Sequence, residues 1–327
     1  MRTTFKHIAL AGIASMALMA NAQAQDWPAA GKAVQIVVPA PGGGGTGDTI
    51  ARIVAEELSK SLKGNFIIDN KPGANGNIGA ASAASAAPDG YRLLFSWAGT
   101  LAVNPNLYKK LSFDPIKDFE PIGLIADVPN ILVVNDKLPT KSLNEFIQYA
   151  KASPGKINFG STGTGSSMHL AGELFMRETG TSMIHVPYNA PGQATTNMIA
   201  GDIQAMFQLV PGIAGQVKAG RVRALALMAD QRSPALPDVP SMKELGHPDL
   251  MSSTWFALLA PKGTPTAVLD KLNKTLNEVL TKPEVHQRLA DLGASTLTGS
   301  RDDLRKHLAA ETAKWGKIIR EAKIEQQ

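Results

Sequence analysis

The sequence of 327 residues contains no cysteine, only 6% aromatic residues and only 19% charged residues. The absence of cysteine excludes disulfides, cysteine-ligated zinc and thiol nucleophiles. After residue 24, no apolar stretch approaches the roughly 20 residues that a membrane-spanning helix needs. The hydrophobic content of 44% and the length instead predict about two globular domains with sizeable cores.

The N-terminus has the features of a secretory signal peptide. Arg2 and Lys6 precede an uncharged apolar stretch, residues 8–19, and Ala22-Gln23-Ala24 fits an A-x-A cleavage site. We therefore expect residues 1–24 to be removed by cleavage after Ala24; an uncleaved N-terminal anchor is the alternative. Cleavage would lower the formal net charge of +5 by two, to +3. The remaining basic residues alternate with acidic ones, so the charge pattern does not indicate a nucleic-acid partner.

Strand-like and helix-like segments alternate along the chain. Residues 34–38 form a β-branched run, and residues 49–62 carry apolar residues at helical spacing. Further strands are predicted at residues 66–68, 91–95, 131–134, 157–159, 184–186, 203–207 and 222–227, and further helices at residues 143–151, 167–177 and 193–200. This βαβ series predicts an α/β fold with mostly parallel sheets and helices on both faces. The last quarter is predicted to be helical, with a capping box at Ser300–Asp303.

Two glycine-rich segments each follow a predicted strand and precede a predicted helix. The first glycine loop is Pro39–Asp48, and the second glycine loop is Gly160–Ser167. Glycine lets backbone N–H groups turn inward, and a helix begins with unpaired donors and a partial positive charge. Because neither loop contains Lys or Arg, we expect two half-sites that bind one anion through backbone amides, hydroxyl groups and water. The alternative is that both loops are only tight strand-to-helix turns.

Other chemistries fit these segments less well. Gly42, Gly44 and Gly47 have the G-x-G-x-x-G spacing of a dinucleotide site, with Asp69 about 20 residues further on. An exported dinucleotide-dependent enzyme therefore stays open as an alternative. The phosphate-binding pattern fails, because an aspartate occupies its lysine position. No G-x-S-x-G or H-E-x-x-H pattern occurs, and His169 is expected to brace the second glycine loop or pack its helix.

A series of short motifs extends over almost the whole chain after residue 24. They are Pro39–Arg52, Asn70–Gly79, Val103–Tyr108, Asp118–Phe119, Asn158–Gly172, His185–Tyr188, Val239–Ser241, Leu259–Pro265 and Trp315–Ile319. In this order and spacing they resemble the substrate-binding proteins of tripartite tricarboxylate transporters, the TctC or Bug family.

The resemblance implies a two-lobed α/β periplasmic binding protein, type II-like, in which each lobe is a mostly parallel sheet flanked by helices. Lobe 1 is expected to comprise residues 26–127 and 254–327, and lobe 2 residues 128–253. The implied function is to capture a small carboxylate between the lobes in the periplasm and to deliver it to membrane transporter subunits. The ligand contacts implied by the residues and the family are Gly43, Gly44, Gly45, Thr46, Gly47, Asp48, Ser96, Trp97, Ala98, Gly99, Thr100, Ser161, Thr162, Gly163, Thr164, Gly165, Ser166, Tyr188 and Gln208.

The chain departs from the family pattern in two places. The first glycine loop is one residue longer than the usual form, which leaves open which of its amides point inward. Trp97 lies in a segment that is usually small and polar, where it could stack on a flat ligand. We therefore include an aromatic carboxylate, for example a dicarboxylate such as terephthalate, as a hypothesis. The alternative is that Trp97 packs beneath the loop.

The expected mechanism is closure of the two lobes on the ligand. We expect no catalytic residue, no cofactor, no metal ion and no nucleic-acid partner, and we expect a monomer. A sensor that presents the closed form to a signalling receptor would use the same fold and the same site, so the sequence leaves that alternative open.

Overall fold

The computed structural model of the protein describes residues 27–43, 45–321 and 324–326. The predicted signal peptide, residues 1–24, and Gly44 of the first glycine loop lie outside the described residues. Within the described ranges, no helix is both long enough and apolar enough to cross a lipid bilayer.

Strands and helices alternate through the described chain, as the sequence predicts. The strands are β1 (Val34–Val38), β2 (Phe66–Asn70), β3 (Arg92–Trp97), β4 (Phe119–Asn135), β5 (Asn158–Ser161), β6 (Ile184–Pro187), β7 (Ala205–Leu209), β8 (Val222–Leu227), β9 (Ser253–Pro261) and β10 (Ser295–Thr296). The helices are α1 (Thr46–Leu62), α2 (Asn77–Ala84), α3 (Asn104–Leu107), α4 (Leu143–Ala152), α5 (Ser167–Thr179), α6 (Pro191–Ala200), α7 (Val210–Lys218), α8 (Thr266–Leu280), α9 (Pro283–Asp291) and α10 (Arg301–Glu321).

One sheet runs through the molecule in the order β2-β1-β3-β9-β4-β7-β5-β6, and β8 and β10 also pair with β4. β1 is parallel to β2 and β3, and β5 is parallel to β6 and β7. Every pair that includes β4 or β9 is antiparallel. The α/β class is therefore confirmed, but the sheet is mixed. Helical crossovers make the outer strands parallel, whereas the two long central strands run in opposite directions.

β4 is 17 residues long and changes its pairing partners along its length. Residues 119–129 pair with β9, and residues 130–135 pair with β7 and β8. The sequence predicted only the last part of this strand, because Pro121, Gly123 and Pro129 interrupt the apolar pattern of the first part. The structure accommodates the interruption with register shifts near residues 121–126, where a missing backbone N–H is tolerated.

Both halves of the sheet are covered by helices on both faces. Around β1, β3 and β9, one core contains α1 and α8, and the other contains α2 and α10. Around β5 and β7, one core contains α4 and α5, and the other contains α6 and α7. β3 shows the alternation directly, since Leu93 and Phe95 lie in one core and Leu94 lies in the other. Burial on both faces explains why these strands appear in the sequence as continuous apolar runs.

The predicted capping box of the C-terminal helix α10 is confirmed. Ser300 Oγ accepts the Asp303 N–H at 3.1 Å, and Asp303 Oδ2 accepts the Ser300 N–H at 2.7 Å. Two otherwise unpaired donors at the helix start are thereby satisfied. The helix docks on the first half of the sheet through an apolar stripe formed by Leu304, Leu308, Trp315 and Ile319.

Asp127 lies on β4, opposite Trp255 of β9 and Ser295 of β10, just before β4 changes partners. Burial is the main cause that raises the pKa of Asp127 to about 6; a hydrogen bond from Ser253 opposes the shift, and the charge of Glu311 adds to it. The folded chain therefore binds this proton more tightly than the unfolded chain. Consequently, Asp127 makes the fold less stable as the pH rises from about 4 to about 6.

We expect Asp127→Asn to raise the free energy of unfolding at neutral pH by roughly 1–3 kcal/mol, since one pKa unit corresponds to about 1.4 kcal/mol. Near pH 4 the substitution should have a much smaller effect, because the wild-type carboxyl group is then protonated in the folded chain and about half protonated in the unfolded chain. Urea unfolding at both pH values measures the difference. Asp249→Asn, at an exposed position, is the control. A variant less stable than the wild type at neutral pH would show that the fold needs the charged carboxylate.

Candidate functional site

The first glycine loop connects the end of β1 to α1. α1 begins directly after Gly45, and no side chain of the described residues caps it. The N–H groups of Thr46, Gly47 and Asp48 therefore have no partner within the helix, and they lie at the positive end of its dipole. Gly43 has a φ of +100°, a conformation that glycine adopts without steric cost. This part of the loop thus has the predicted geometry of an anion-binding helix start.

The Asp48 side chain forms hydrogen bonds with the first glycine loop and with neighbouring side chains. Its carboxylate accepts hydrogen bonds from the Gly43 N–H (3.1 Å), from Arg52 (2.9 and 3.1 Å) and from Asn70 Nδ2 (2.8 Å). Burial alone would raise the pKa of Asp48, but the hydrogen bonds from Arg52, Asn70 and Gly43 together hold it below its ordinary value. The sequence analysis missed Arg52 and Asn70; the only signal was the position of Asn70 at the end of a strand. A ligand contact by Asp48 stays a prediction.

Trp97 lies between the first glycine loop and the turn that follows β3. Its ring centroid is 6.4 Å from that of Phe256. A Cβ atom at Gly47 would be 3.7 Å from the six-membered ring, and one at Gly99 would be 3.2 Å from Cδ1 and Nε1. A Cβ atom would thus make ordinary contact with the indole at Gly47, whereas at Gly99 it would be crowded against the indole. The indole is partly exposed, and its N–H donates no hydrogen bond to any described residue, so Trp97 packs against both segments and still presents a free donor.

The residues after Trp97 form a buried π-helical turn, Gly99–Val103, of the kind often found at functional sites. Ala98 is buried at the start of this turn, and Thr100 Oγ1 donates to the Asn75 carbonyl at 3.0 Å. Ser96 Oγ is fully buried and has no hydrogen-bond partner among the described residues. Because an unpaired buried hydroxyl group is costly, Ser96 is a candidate ligand contact.

The segment Gly73–Gly76, which we call the strained segment, was missed as part of the site. Its four residues have φ values of +127°, +46°, +51° and +90°. Such values are costly for Ala74 and Asn75, and they persist only where neighbouring groups enforce them. Asn104 does so, because its Nδ2 donates to the Asn75 carbonyl (3.0 Å) and its Oδ1 accepts from Asn75 Nδ2 (2.8 Å). The sequence signal was the turn motif Asn70–Gly79, to which no role was assigned.

The second glycine loop connects β5 to α5 and is stabilised by its own hydroxyl groups. Ser161 Oγ accepts the Gly163 N–H at 3.0 Å. Ser166 caps α5, since its Oγ accepts the His169 N–H at 3.3 Å. Three further hydroxyl-bearing residues of the loop are partly exposed: Thr162, Thr164 and Ser167.

Two histidines also support this loop from behind. His169 Nδ1 accepts the Gly165 N–H at 3.2 Å, which confirms the predicted bracing role of His169. His185 Nε2 lies 2.5 Å from Ser161 Oγ, a contact that the sequence analysis missed because the two residues lie 24 positions apart.

The second glycine loop packs against the first half of the molecule. Gly165 has a φ of +80°, and a Cβ atom there would overlap the Leu107 side chain and lie 3.7 Å from Asn75 Nδ2. Its carbonyl oxygen is 3.9 Å from the Cβ position of Gly99. Leu170 of α5 lies in the core that contains α2 and α10. The structure therefore brings together the second glycine loop, the strained segment and the turn after β3.

Tyr188 and Gln208 lie just beyond β6 and at the end of β7, near the second glycine loop. The Tyr188 N–H donates to the Ser161 carbonyl at 2.9 Å, and its hydroxyl accepts from Asn197 Nδ2 at 3.1 Å. Gln208 Oε1 accepts the next backbone N–H at 2.9 Å, whereas Nε2 is buried without a partner among the described residues. Like Ser96, Gln208 therefore holds a buried polar group without a partner among the described residues, and a ligand contact by Gln208 stays a prediction.

The structure gives little support to cofactor or metal binding. In the described ranges, no group of three or more His, Asp or Glu side chains is placed to hold a metal ion. A dinucleotide site would need Asp69 to be free for a ribose. Its carboxylate instead accepts a hydrogen bond from Arg92 at 2.6 Å and lies 3.7 Å from Lys71 Nζ. The expectation of no cofactor and no metal ion stays a prediction.

Comparison with known proteins places the chain in one family. Residues 50–324 match the model of the family described as "Tripartite tricarboxylate transporter family receptor". Protein BugT of Bordetella pertussis is 37% identical to the chain over 310 residues, which cover 94% of each protein.

Solved structures agree with this result. A protein of R. palustris, solved with adipate, matches with a TM-score of 0.86 and 35% identity, over 92% of this chain and 99% of that one. MatC from Rhodopseudomonas palustris, solved with bound malate, matches with a TM-score of 0.80 and 31% identity, over 89% and 99%. The predicted fold class, a two-lobed periplasmic binding protein, is confirmed by such matches.

We expect Gly165→Ala to lower the free energy of unfolding by roughly 2–4 kcal/mol, because it combines a costly positive φ with overlap of Leu107. Gly180→Ala is the matched control: its φ is +63°, nothing lies within 4 Å of its Cβ position, and it should cost about 1 kcal/mol. Urea unfolding of both variants measures the difference. Equal losses would show that the second glycine loop does not press against Leu107.

Proposed function

Because the chain belongs to the tripartite tricarboxylate transporter receptor family, a family of periplasmic solute-binding proteins, we propose that it captures a small carboxylate and delivers it to a membrane transporter. The observation that carries the proposal is the convergence of two glycine loops, each leading into a helix start, on the turn after β3. Helix starts of this kind bind anions through backbone N–H groups.

The proposed contacts are the backbone N–H groups of Thr46–Asp48 and those N–H groups of the second glycine loop that do not already donate within the loop or to His169, together with Ser96, Trp97 and Gln208. Neither loop contains Lys or Arg, so the carboxylate is bound without an ion pair from the loops. Hydrogen bonds to a charged group contribute roughly 1.5–3 kcal/mol each. Three or four of them suffice for micromolar binding, about −8 kcal/mol, after the costs of association.

An aliphatic dicarboxylate is the ligand class that we propose first. Adipate and malate, which two structurally similar proteins hold, are both of this class. The position of Trp97 between Gly47 and Gly99 supports a second possibility, an aromatic dicarboxylate that stacks on the exposed part of the indole.

We propose that the lobes divide as residues 26–127 with 254–327, and residues 128–253. The change of partners along β4 and the start of β9 at Ser253 support this division, because these two strands pass between the halves near their common pair Pro129–Ser253. Closure would then require bending at few backbone positions. The ligand favours the closed form because it contacts both lobes only there.

The proposal assigns the protein no catalysis. Ser161 and His185 are in contact, as a nucleophile and its base would be, but Ser161 Oγ is fully buried and already accepts the Gly163 N–H. We therefore assign both residues to the support of the loop. The predicted cleavage after Ala24 and the family together support a periplasmic location.

A thermal-shift screen of the purified protein tests this function. The panel contains aliphatic and aromatic mono-, di- and tricarboxylates, amino acids and NAD. We expect a dose-dependent rise in Tm with dicarboxylates, because a ligand that binds only the folded state stabilises it by mass action. A shift with NAD alone would contradict the proposal and favour the dinucleotide alternative.

Trp97→Ala distinguishes the two ligand classes. If the indole stacks on the ligand, the substitution should weaken aromatic acids by about 0.5–1.5 kcal/mol more than aliphatic acids, which is about two- to twelvefold in Kd. Titration calorimetry with both classes measures the difference, and Trp255→Phe, away from the loops but equally aromatic, is the control. Equal effects on both classes would mean that Trp97 only packs beneath the loop.

A further inference from the structure

Two imidazole rings, those of His169 and His185, lie behind the second glycine loop with their centroids 4.1 Å apart. We call them the histidine pair. His169 is buried and lies parallel to the Phe159 ring, and His185 is 5.1 Å from the same ring. The pair therefore occupies an aromatic environment directly behind residues that we propose to bind the ligand.

The contacts of His169 determine which nitrogen of its neutral ring carries the proton. Because Nδ1 accepts the Gly165 N–H at 3.2 Å, it carries no proton. The proton of the neutral ring is then on Nε2, which lies 3.5 Å from Glu173 Oε1. The backbone N–H of the same residue donates to the Ser166 cap. His169 thus fixes Gly165 and Ser166, the last two residues before α5 begins.

His185 acts at the other end of the loop. Its Nε2 lies 2.5 Å from Ser161 Oγ, at the point where β5 ends. The same hydroxyl group accepts the Gly163 N–H at 3.0 Å and lies 3.2 Å from the Gly163 carbonyl. The histidine pair therefore contacts the second glycine loop at both of its ends.

His169 holds the Gly165 end of the second glycine loop, and this end also packs against the first half of the molecule. Gly165 packs against Leu107 and lies near Asn75 of the strained segment. A change in the Gly165 backbone would therefore alter both the loop and the contact between the halves.

We propose that the histidine pair is the positioning element of the second glycine loop: neutral rings hold the loop in its binding shape, and protonation in acid breaks the Gly165 contact and weakens ligand binding. The binding consequence rests on the proposed function, whereas the contact with the loop does not depend on any ligand.

The physical reason is the loss of an acceptor. A protonated imidazole donates from both nitrogens, so His169 could no longer accept the Gly165 N–H. A charge on one ring also opposes a charge on the other at 4.1 Å. Among the described residues, Glu173 of α5 is the only carboxylate within 4.0 Å of a ring nitrogen of the pair, and β5 contributes only Phe159 and Ser161 to the contacts.

The protonation of His185 agrees with this arrangement. Burial first, and then the neighbouring His169, lower the pKa of His185 to about 4, while Glu173 opposes the shift. His185 is therefore neutral near pH 7. Because its pKa is lower in the folded chain than in the unfolded chain, its contribution to stability is present above about pH 6.5 and is lost as the pH falls towards about 4.

Long-range ¹H–¹⁵N NMR spectra of the purified protein without ligand test the contact itself. At neutral pH we expect His169 to carry its proton on Nε2, and acidification should shift the Gly165 amide resonance together with the imidazole signals. In His169→Asn, where Oδ1 replaces Nδ1 as the acceptor, the Gly165 resonance should no longer follow an imidazole titration. A proton on His169 Nδ1 at neutral pH would overturn the proposal.

Titration calorimetry with adipate, between about pH 4.5 and 7.5, tests the consequence for binding. The wild-type affinity should fall more steeply over this range than the affinity of the double variant His169→Asn, His185→Gln. Because adipate has the same protonation states in both titrations, the difference between the pH dependences of the two affinities is due to the histidine substitutions. His169→Leu offers no acceptor and should bind more weakly than His169→Asn already at neutral pH. His286→Asn, at an exposed position, should follow the wild type.

The outcomes are distinguishable. A wild-type affinity that rises in acid relative to the double variant would overturn the proposal, since attraction between the charged rings and the ligand would then dominate. If adipate binds neither the wild type nor any variant at neutral pH, adipate is not a ligand of this protein, and the proposed ligand class fails for this acid. The NMR spectra still decide the histidine contact in that case.

Discussion

A carboxylate that meets no cationic side chain in its binding loops depends on neutral hydrogen-bond donors, and the first N–H groups of a helix are donors that have no partner within the helix. The rest of the proposed site depends on this constraint. Asp48 holds the first glycine loop through its hydrogen bonds, and His169 holds the second through Gly165. Trp97 lies against Gly47 and Gly99, and it approaches Gly99 so closely that a side chain there would be crowded. The polar side chains near the loops thus mainly position the backbone.

The long strand β4 sets how the two halves of the molecule meet. It pairs with β9 in its first part and with β7 and β8 in its second part, so one continuous backbone belongs to both halves of the sheet. Gly165 and Leu170 extend from the second half into the first, which places the second glycine loop against the turn after β3. A movement at the crossing strands would therefore act on the ligand loops directly.

The parts of the structure that the sequence predicted depend on local pattern. A strand, a glycine run and the start of a helix follow one another within about 15 residues, the scale on which periodicity is informative. The missed parts depend on contacts between distant residues or on broken patterns. His185 supports Ser161 from 24 positions away, and two prolines hid the first part of β4. The engagement of the Asp48 carboxylate, and the free buried donor of Gln208, depend on neighbours that no local pattern identifies.

A crystal structure of the protein with a bound dicarboxylate would be the most direct measurement. We predict carboxylate oxygens within about 2.7–3.2 Å of backbone N–H groups in both glycine loops, and no Lys or Arg side chain in contact with them. A dicarboxylate bound by an arginine or lysine, or bound away from the two loops, would contradict the role of the backbone N–H groups on which the proposed function is built.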